Sequence, residues 1–357
     1  MNQMMKVILG VILLAIDGTE MFLFKRFPDF FFPAYRNLSK SWMTFLNSLT
    51  NFLKFSLWDI IALFLGILFI NTFIKAIRKR RIIKWFINVF LVVSIFISIA
   101  INGWLLNHYA PSLSGYIDLD VKEYSVSELS DACEYYLLKA SDLAVQMDRD
   151  DDMKVIDYDF YEIGELAGKS YKTLGNEYDV FKGSDARVKR FSIIGDYLLY
   201  NDIVGMFMPL SGEASVPYNV ARIQLPYYMC HEAAHRLGLA SEQEANFAAF
   251  MACIENDDIR FKYSGYYMAF SYCYSSLYRV NPEMAKELYE KYSEDEKVKL
   301  LRYDRSIVSQ HYEKYQSSLK EVSDKINDTY LKTFSQEDGI QSYGMVTDYL
   351  IAYYKKY

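Results

Sequence analysis

The chain has 357 residues, a formal net charge of −6 and 52% hydrophobic residues. This acidic balance argues against a nucleic-acid-binding protein, because a phosphate-binding surface needs an excess of lysine and arginine. A chain of this length can bury the core of one or two domains. Apolar residues are concentrated in roughly the first hundred positions, whereas charges and tyrosines dominate the rest. The sequence therefore predicts two parts of different character.

Three apolar stretches near the N-terminus predict membrane-spanning helices at about residues 5–24, 55–74 and 85–106. The second and third stretches have about the 20 residues that a helix needs to cross the hydrocarbon layer. Trp85 and Trp104, near opposite ends of the third stretch, are typical of interfacial aromatic residues.

The first stretch is weaker, because its continuous apolar run has only ten residues, Val7 to Ile16. Such a run fits either a signal peptide or a short anchor. No A-x-A-like cleavage site follows it. We therefore expect a retained anchor, with a cleaved signal peptide as the alternative.

A basic loop separates the second and third stretches. The segment KAIRKRRIIK, Lys75 to Lys84, carries six basic side chains and no acidic one. Short loops of this kind stay in the cytoplasm, so the chain after the third span is predicted to lie outside. The sequence thus predicts a multi-pass membrane region at residues 1–106, in contact with the lipid bilayer, and an extracytoplasmic domain at residues 107–357.

The C-terminal domain, residues 107–357, is predicted to be mainly helical. Apolar residues recur at helical spacing at residues 129–144, at residues 187–199 and through most of the chain after Ser264. The segment MPLSGEASVPYNV, Met208 to Val220, favours strand and loop instead, because it combines Pro, Gly and Ser with β-branched residues. We expect a mainly α fold: transmembrane helices followed by one largely helical domain with a small strand element. The four widely spaced cysteines are expected to be buried and unpaired, with a disulfide as the alternative.

Two of the four histidines lie four residues apart in the stretch LPYYMCHEAAHRLG. Pro226 suits the first turn of a helix, and Gly238 suits its end. On that helix His231 and His235 leave the same face about one turn apart and can share a tetrahedral Zn²⁺ ion. Glu232 is turned about 100° away, so it can reach a water molecule as a general base. This is the HExxH pattern of zinc hydrolases.

A second helix is predicted to begin in the following SEQEAN sequence. Ser241 and Glu244 match a capping box, which gives Glu244 a structural role. Glu242 has no such role and shares a helix face with small residues, so it is the predicted third metal ligand, with Glu244 as the alternative. Asn246 follows one turn later. It is either a hydrogen-bond partner of a ligating histidine or an ordinary surface amide.

These residues resemble the gluzincin branch of zinc peptidases, in which HExxH supplies two ligands and a glutamate on a following helix supplies the third. In several membrane-bound members that glutamate opens an E-x-x-A-D stretch. Residues 242–246 match this stretch with Asn246 in place of Asp. The gap between HExxH and the glutamate is shorter here than in ordinary gluzincins.

Over nearly its full length, the chain resembles an uncharacterised bacterial family of three-span membrane proteins, catalogued only as a domain of unknown function. The segments that carry the resemblance are FSLWDIIALFL, SGEASV, CHEAAHRLGLASEQEANFAAFMAC and VSDKINDTYLKTFSQEDGIQSYGMVTDYLIAYY. The resemblance implies a fold, a zinc site and a location in the bacterial cell membrane, and it implies no substrate.

The pattern and the resemblance together predict a membrane-anchored zinc metallopeptidase that acts on a peptide or protein substrate, with Glu232 as the general base and a zincin-like domain. Met208 to Val220 is the expected edge strand for an extended substrate, with Gly212 as the substrate-binding position that allows close backbone approach. Tyr343 is a weak candidate for the oxyanion donor among 32 tyrosines. The alternative is a membrane-anchored sensor or binding module that holds zinc without catalysis.

Overall fold

Four long helices form the N-terminal region of the computed structural model, which describes residues 1–315 and 346–357. They are α1 (Gln3–Arg26), α2 (Pro28–Thr50), α3 (Leu57–Arg78) and α4 (Ile82–Gly103). Helices α1, α3 and α4 are long and apolar enough to cross a membrane. The three predicted apolar stretches are thus helices, with bounds shifted by a few residues. Helix α2 was not predicted.

Helix α1 runs beside α4 in the same direction. The Lys6 ammonium group donates a hydrogen bond to Asn88 near the start of α4. Further along, Asp17 is 3% exposed and accepts hydrogen bonds from Ser98 Oγ (2.6 Å) and Asn102 Nδ2 (3.3 Å). A carboxylate within an apolar helix needs such polar partners. These contacts explain how α1 accommodates an acid.

Helices α3 and α4 form a hairpin whose two ends have different surroundings. The closed end carries the basic loop. At the open end, Asp59 in the first turn of α3 accepts hydrogen bonds from the backbone N–H groups of Ser192 (2.6 Å) and Ile194 (3.2 Å). The residue after α4, Trp104, donates from Nε1 to the carbonyl oxygen of His235 (2.8 Å). The C-terminal domain and the basic loop therefore lie at opposite ends of the hairpin.

The two tryptophans of the last span pack against other parts of the protein, and their expected place at the membrane interface stays a prediction. Trp104 is 3% exposed and contacts the ring of Phe207. Trp85 packs against α3 and donates from Nε1 to Thr72 Oγ1 (3.1 Å). Trp104 thus joins the end of α4 to the C-terminal domain through a buried hydrogen bond, and Trp85 joins α4 to α3 through a partly buried one.

The C-terminal domain is built mainly from helices, as predicted. They are α5 (Leu113–Tyr116), α6 (Val126–Ala144), α7 (Phe160–Lys169), α8 (Lys172–Glu177), α9 (Gly195–Leu199), α10 (Leu225–Arg236), α11 (Glu242–Ile254), α12 (Ile259–Val280), α13 (Pro282–Lys291), α14 (Glu296–Glu313) and α15 (Val346–Lys356). Helix α12 packs against α6, α10 and α11, and buried residues of these four helices share one hydrophobic core. All four cysteines are buried and unpaired, which confirms the prediction.

Three short strands, β1 (Lys189–Phe191), β2 (Met206–Met208) and β3 (Glu213–Pro217), form one sheet in the order β1-β3-β2. β1 is parallel to β3, and β2 is antiparallel to it. The helix predicted at residues 187–199 is therefore wrong in its first half, because pairing with β3 makes that backbone extended. Tertiary pairing often overrides local pattern in this way.

The strand predicted between Met208 and Val220 is present as β3, but it is not a free edge. Both of its sides are paired with neighbouring strands over part of their length, so β3 is the central strand of the sheet and not an open edge. Gly212 lies in the turn before β3 with φ +69°, and a Cβ atom there would meet Met43 O at 3.1 Å and Asn47 Nδ2 at 2.9 Å. Gly212 thus allows close packing against α2, which gives this glycine a structural role, and its predicted role in substrate binding stays a prediction.

Candidate metal centre

Helices α10 and α11 carry the predicted ligands. Helix α10 has Pro226 in its first turn, and Gly238 follows its end with φ +90°. Helix α11 begins directly after Ser241. The two helices pack on each other, and the small residues Ala245 and Ala249 of α11 are completely buried. Small side chains at a helix interface let the two backbones approach closely.

The three predicted ligands lie together. His231 Nε2 is 3.0 Å from His235 Nε2 and 3.2 Å from Glu242 Oε2, and His235 Nε2 is 3.6 Å from Glu242 Oε1. One ligand atom from each residue lies within 4.8 Å of the others. The histidine side chains are 9% exposed and the glutamate 17% exposed. This cluster can hold a metal ion.

Burial and charge act in opposite directions on the cluster. Burial lowers the pKa of His231. Burial also opposes a charged His235, but the Glu242 carboxylate overcomes this effect and raises the His235 pKa to about 9. Burial in turn opposes a charged Glu242, yet the two imidazoles hold its pKa well below its usual value. The carboxylate thus requires a positive charge beside it, which a proton on His235 or a metal cation can supply.

The far nitrogens of the two histidines have different surroundings. His235 Nδ1 lies 2.7 Å from the carbonyl oxygen of Leu239, so it donates there and leaves Nε2 as a metal ligand. His231 Nδ1 is buried without a hydrogen-bond partner, and so is Asn246 Nδ2. Asn246 nevertheless lies close enough to His231 to favour its protonated form. The Asn246 side-chain amide has two orientations, related by a 180° rotation that exchanges its oxygen and nitrogen. The surrounding hydrogen-bond network decides between them.

The Asn246 amide is itself held by tyrosines. Tyr227 OH lies 3.3 Å from the side-chain Oδ1 of Asn246 and donates to the main-chain carbonyl oxygen of the same residue (2.8 Å), and Tyr272 OH also lies 3.3 Å from Oδ1. Asn246 is 2% exposed, so it is a buried neighbour of the cluster and not a surface amide.

Glu232 is buried, at 4% exposure, and its Oε2 atom has no hydrogen-bond partner. Burial raises the pKa of Glu232 to about 8. The charge of His235 lowers this pKa, and the charge of Glu242 raises it. A Cβ atom at Gly205 would lie 2.3 Å from Glu232 Oε1, so only glycine leaves room for this carboxylate. Gly205 directly precedes β2, and its link to Glu232 was not apparent from the sequence.

Glu244 does not form the predicted capping box. The Ser241 side chain makes no capping hydrogen bond. The Glu244 carboxylate instead accepts hydrogen bonds from Leu113 N (2.8 Å) and Tyr349 OH (3.1 Å), which tie α11 to α5 and α15. The prediction of a structural role is right, but its local mechanism is wrong, because these longer-range partners take the carboxylate.

The sequence analysis missed His108, which lies just after α4. The Trp104 ring contacts His108 and His235 edge-on, with centroid distances of 5.7 and 6.2 Å. Burial lowers the His108 pKa to about 3, and His235 and Glu242 also influence it. Nothing local in the sequence marks this lone histidine. Tyr343 lies outside the described residues.

Comparison with known proteins gives one match. No curated protein and no solved structure matches the chain. A family model described as "Protein of unknown function (DUF3810)" matches residues 35–351, which include α10, α11 and the whole metal cluster. The chain therefore belongs to the DUF3810 family.

Proposed function

We propose that the chain is a membrane-anchored zinc metallopeptidase that hydrolyses peptide bonds on the extracytoplasmic side. The observation that carries this proposal is a three-donor cluster next to a buried carboxylate, Glu232, that has an oxygen atom without a partner. A structural metal site needs only the cluster. Hydrolysis needs both features, because a general base must take a proton from the attacking water.

The donor set fits zinc. Two imidazole nitrogens and one carboxylate oxygen are the protein ligands of many zinc peptidases. Ligand atoms 2.0–2.2 Å from a tetrahedral ion lie roughly 3.3–3.6 Å from one another. The two histidine Nε2 atoms are 3.0 Å apart, and they lie 3.2 and 3.6 Å from different oxygens of Glu242, so small side-chain shifts would bring one donor from each residue into this range. When bound, zinc would polarise a substrate carbonyl group and acidify a water molecule.

The protein residues have separate roles in this proposal. Burial favours the protonated form of Glu232, but the charge of a bound cation would favour its ionised form. The ionised carboxylate then takes a proton from water and passes it to the leaving amine. Gly205 leaves space for the Glu232 carboxylate, and Asn246 orients the His231 ring. Within the described part of the chain, β2 is an outer strand and directly follows Gly205. An extended substrate that pairs with β2 would bring its backbone towards Glu232.

The location of the domain follows from the basic loop. The six basic residues of Lys75 to Lys84 lie at the end of the α3–α4 hairpin opposite to the C-terminal domain. The positive-inside rule puts that loop in the cytoplasm and the domain outside. A reporter fused after residue 110 should therefore behave as extracytoplasmic, and one fused within the loop as cytoplasmic. Reversed signals would contradict this orientation.

The central experiment is Glu232→Gln in the full chain, reconstituted in lipid vesicles. Cleavage of casein or membrane-extract proteins should fall by about 10²–10⁴-fold, because an amide cannot accept the proton. Bound zinc should stay close to the wild-type amount, since Glu232 is not a ligand. Glu244→Gln is the matched control, because it makes the same change at another buried glutamate, and it should leave cleavage largely intact. His231→Ala should lose both zinc and cleavage.

A non-catalytic zinc module is the second candidate, favoured by the burial of the ligands, of which the most exposed is Glu242 at 17%. In that case Glu232 has no chemical task. A zinc-loaded wild type whose cleavage is the same as that of Glu232→Gln would replace the peptidase proposal with this one.

A further inference from the structure

Helix α2 has an exposed row of large apolar side chains. Phe30, Leu38, Phe45 and Leu49 are between 52% and 78% exposed. At 100° per residue they fall within an arc of about 100° on the helix surface. The exposed Ser41 and Ser48 fall in the same arc, so this surface is mainly apolar and is not a continuous apolar row. An exposed, mainly apolar face of this kind normally marks an interaction surface.

The rest of the α2 surface divides into two further sectors. The opposite side is buried against the spans and the C-terminal domain, through Phe32, Tyr35, Ser39, Met43, Asn47 and Thr50. Between the buried side and one border of the apolar row lie exposed polar positions, including Asn37 and Thr44. Helix α2 thus has a protein-facing, a polar and an apolar sector. A helix lying in a membrane surface needs this division, because it meets protein, water and lipid at once.

The position of α2 indicates which partner covers the apolar row. Helix α2 follows α1 after a single residue, and α3 begins a few residues after α2 ends. Tyr35 OH donates to Ile101 O (3.3 Å) and Ser39 Oγ to Gly103 O (2.9 Å), so α2 crosses the last turn of α4. The last turn of α4 is one end of a candidate span, and the candidate spans carry many exposed large apolar side chains of their own. Lipid is therefore the expected partner of the apolar row.

We propose that α2 lies in the plane of the membrane surface, in the leaflet on the side of the C-terminal domain, with its apolar row among the lipid chains. Interfacial helices bury such a face about 5–10 Å into the boundary between headgroups and acyl chains. Exposed Lys25, Arg26 and Lys54 flank the helix and suit lipid phosphates. This inference does not depend on the metal centre or on peptidase activity.

Spin labels can test the proposal in the full chain reconstituted in phosphatidylcholine and phosphatidylglycerol vesicles. Single cysteines at Leu38, Phe45 and Leu49 report on the apolar row, and cysteines at Asn37 and Thr44 are matched controls on the polar sector of the same helix. All five positions are exposed, so the labels displace no core residue. The native cysteines are completely buried and should not react.

We expect a severalfold higher ratio of collisions with oxygen to collisions with a water-soluble nickel chelate at the three apolar positions than at the two controls. Equal, water-like ratios at all five positions would overturn the proposal. Protection of the apolar row from both reagents would also overturn it, because a protein partner or a second copy of the chain would then cover the row.

Discussion

Two of the buried groups of charged side chains in the C-terminal domain are built differently. In the first, Lys189 and Glu213 form an ion pair with both side chains at most 1% exposed. The Lys189 ammonium also donates to Thr50 O (2.7 Å), and Glu213 Oε2 accepts from Leu57 N (3.1 Å). Charges and hydrogen bonds in this pair are matched within the protein, and the pair joins the sheet to the membrane region.

The second group is the cluster of His231, His235 and Glu242 with Glu232 beside it. Here the donor atoms converge on one position, and Glu232 Oε2 and His231 Nδ1 have no partners. The comparison teaches that buried charge alone does not indicate a site. A structural pair satisfies its own groups, whereas the candidate metal centre needs a cation and leaves a carboxylate oxygen available for chemistry.

Glu242→Ala should give the largest effect, because it removes one ligand of the metal cluster. It should leave the Lys189–Glu213 ion pair intact. With two ligands left, zinc affinity should fall by more than the 10–100-fold that is lost when a ligand loses its hydrogen-bond partner. Bound zinc per purified chain is the measurement. Glu244→Ala is the control. It should keep its zinc and lose about 1–3 kcal/mol of unfolding free energy, because Leu113 N then lacks its acceptor. The opposite result would exchange the roles of the two glutamates.

Lys189→Met should instead remove the ion pair between Lys189 and Glu213. It leaves the buried Glu213 carboxylate without its cation, and removing one partner of such a pair costs about 3–5 kcal/mol. The free energy of unfolding of the full chain in micelles measures this loss. The double variant Lys189→Met/Glu213→Gln should recover most of it, because both charges are gone and an acceptor for Leu57 N remains. Loss of zinc from the folded single variant would show that the two groups are not independent.

Asn246 variants should give the smallest effect and sharpen the comparison. Asn246→Ala should weaken zinc binding by about 10–100-fold, since the His231 ring loses a neighbour that orients it. This loss corresponds to about 1.4–2.7 kcal/mol. Asn246→Asp restores the acid of the E-x-x-A-D stretch and should bind zinc more tightly than the wild type. Competition with a zinc-binding dye gives both affinities, and unchanged values in both variants would remove Asn246 from the site.

Much of the cluster could be predicted from the sequence, because α10 and α11 are regular helices with local signals. The four-residue spacing puts His231 and His235 on one face of any helix. Glu242 was preferred because it shares a face with small residues, and the structure puts it beside both histidines. The predicted capping role of Glu244 was wrong, because its carboxylate accepts a hydrogen bond from Leu113 N, which is 131 positions away in the chain.

The sequence by itself determined the apolar lengths of the three candidate spans, the mainly helical fold and the pairing of two histidines on one helix, because helix periodicity and span length are properties of neighbouring residues. Only the tertiary structure decided that β3 lies in the centre of its sheet, that Gly205 packs against Glu232 and that Trp104 joins α4 to the carbonyl group of His235. The partners of strands and of buried polar groups come from distant segments, and no local pattern specifies which segments will meet.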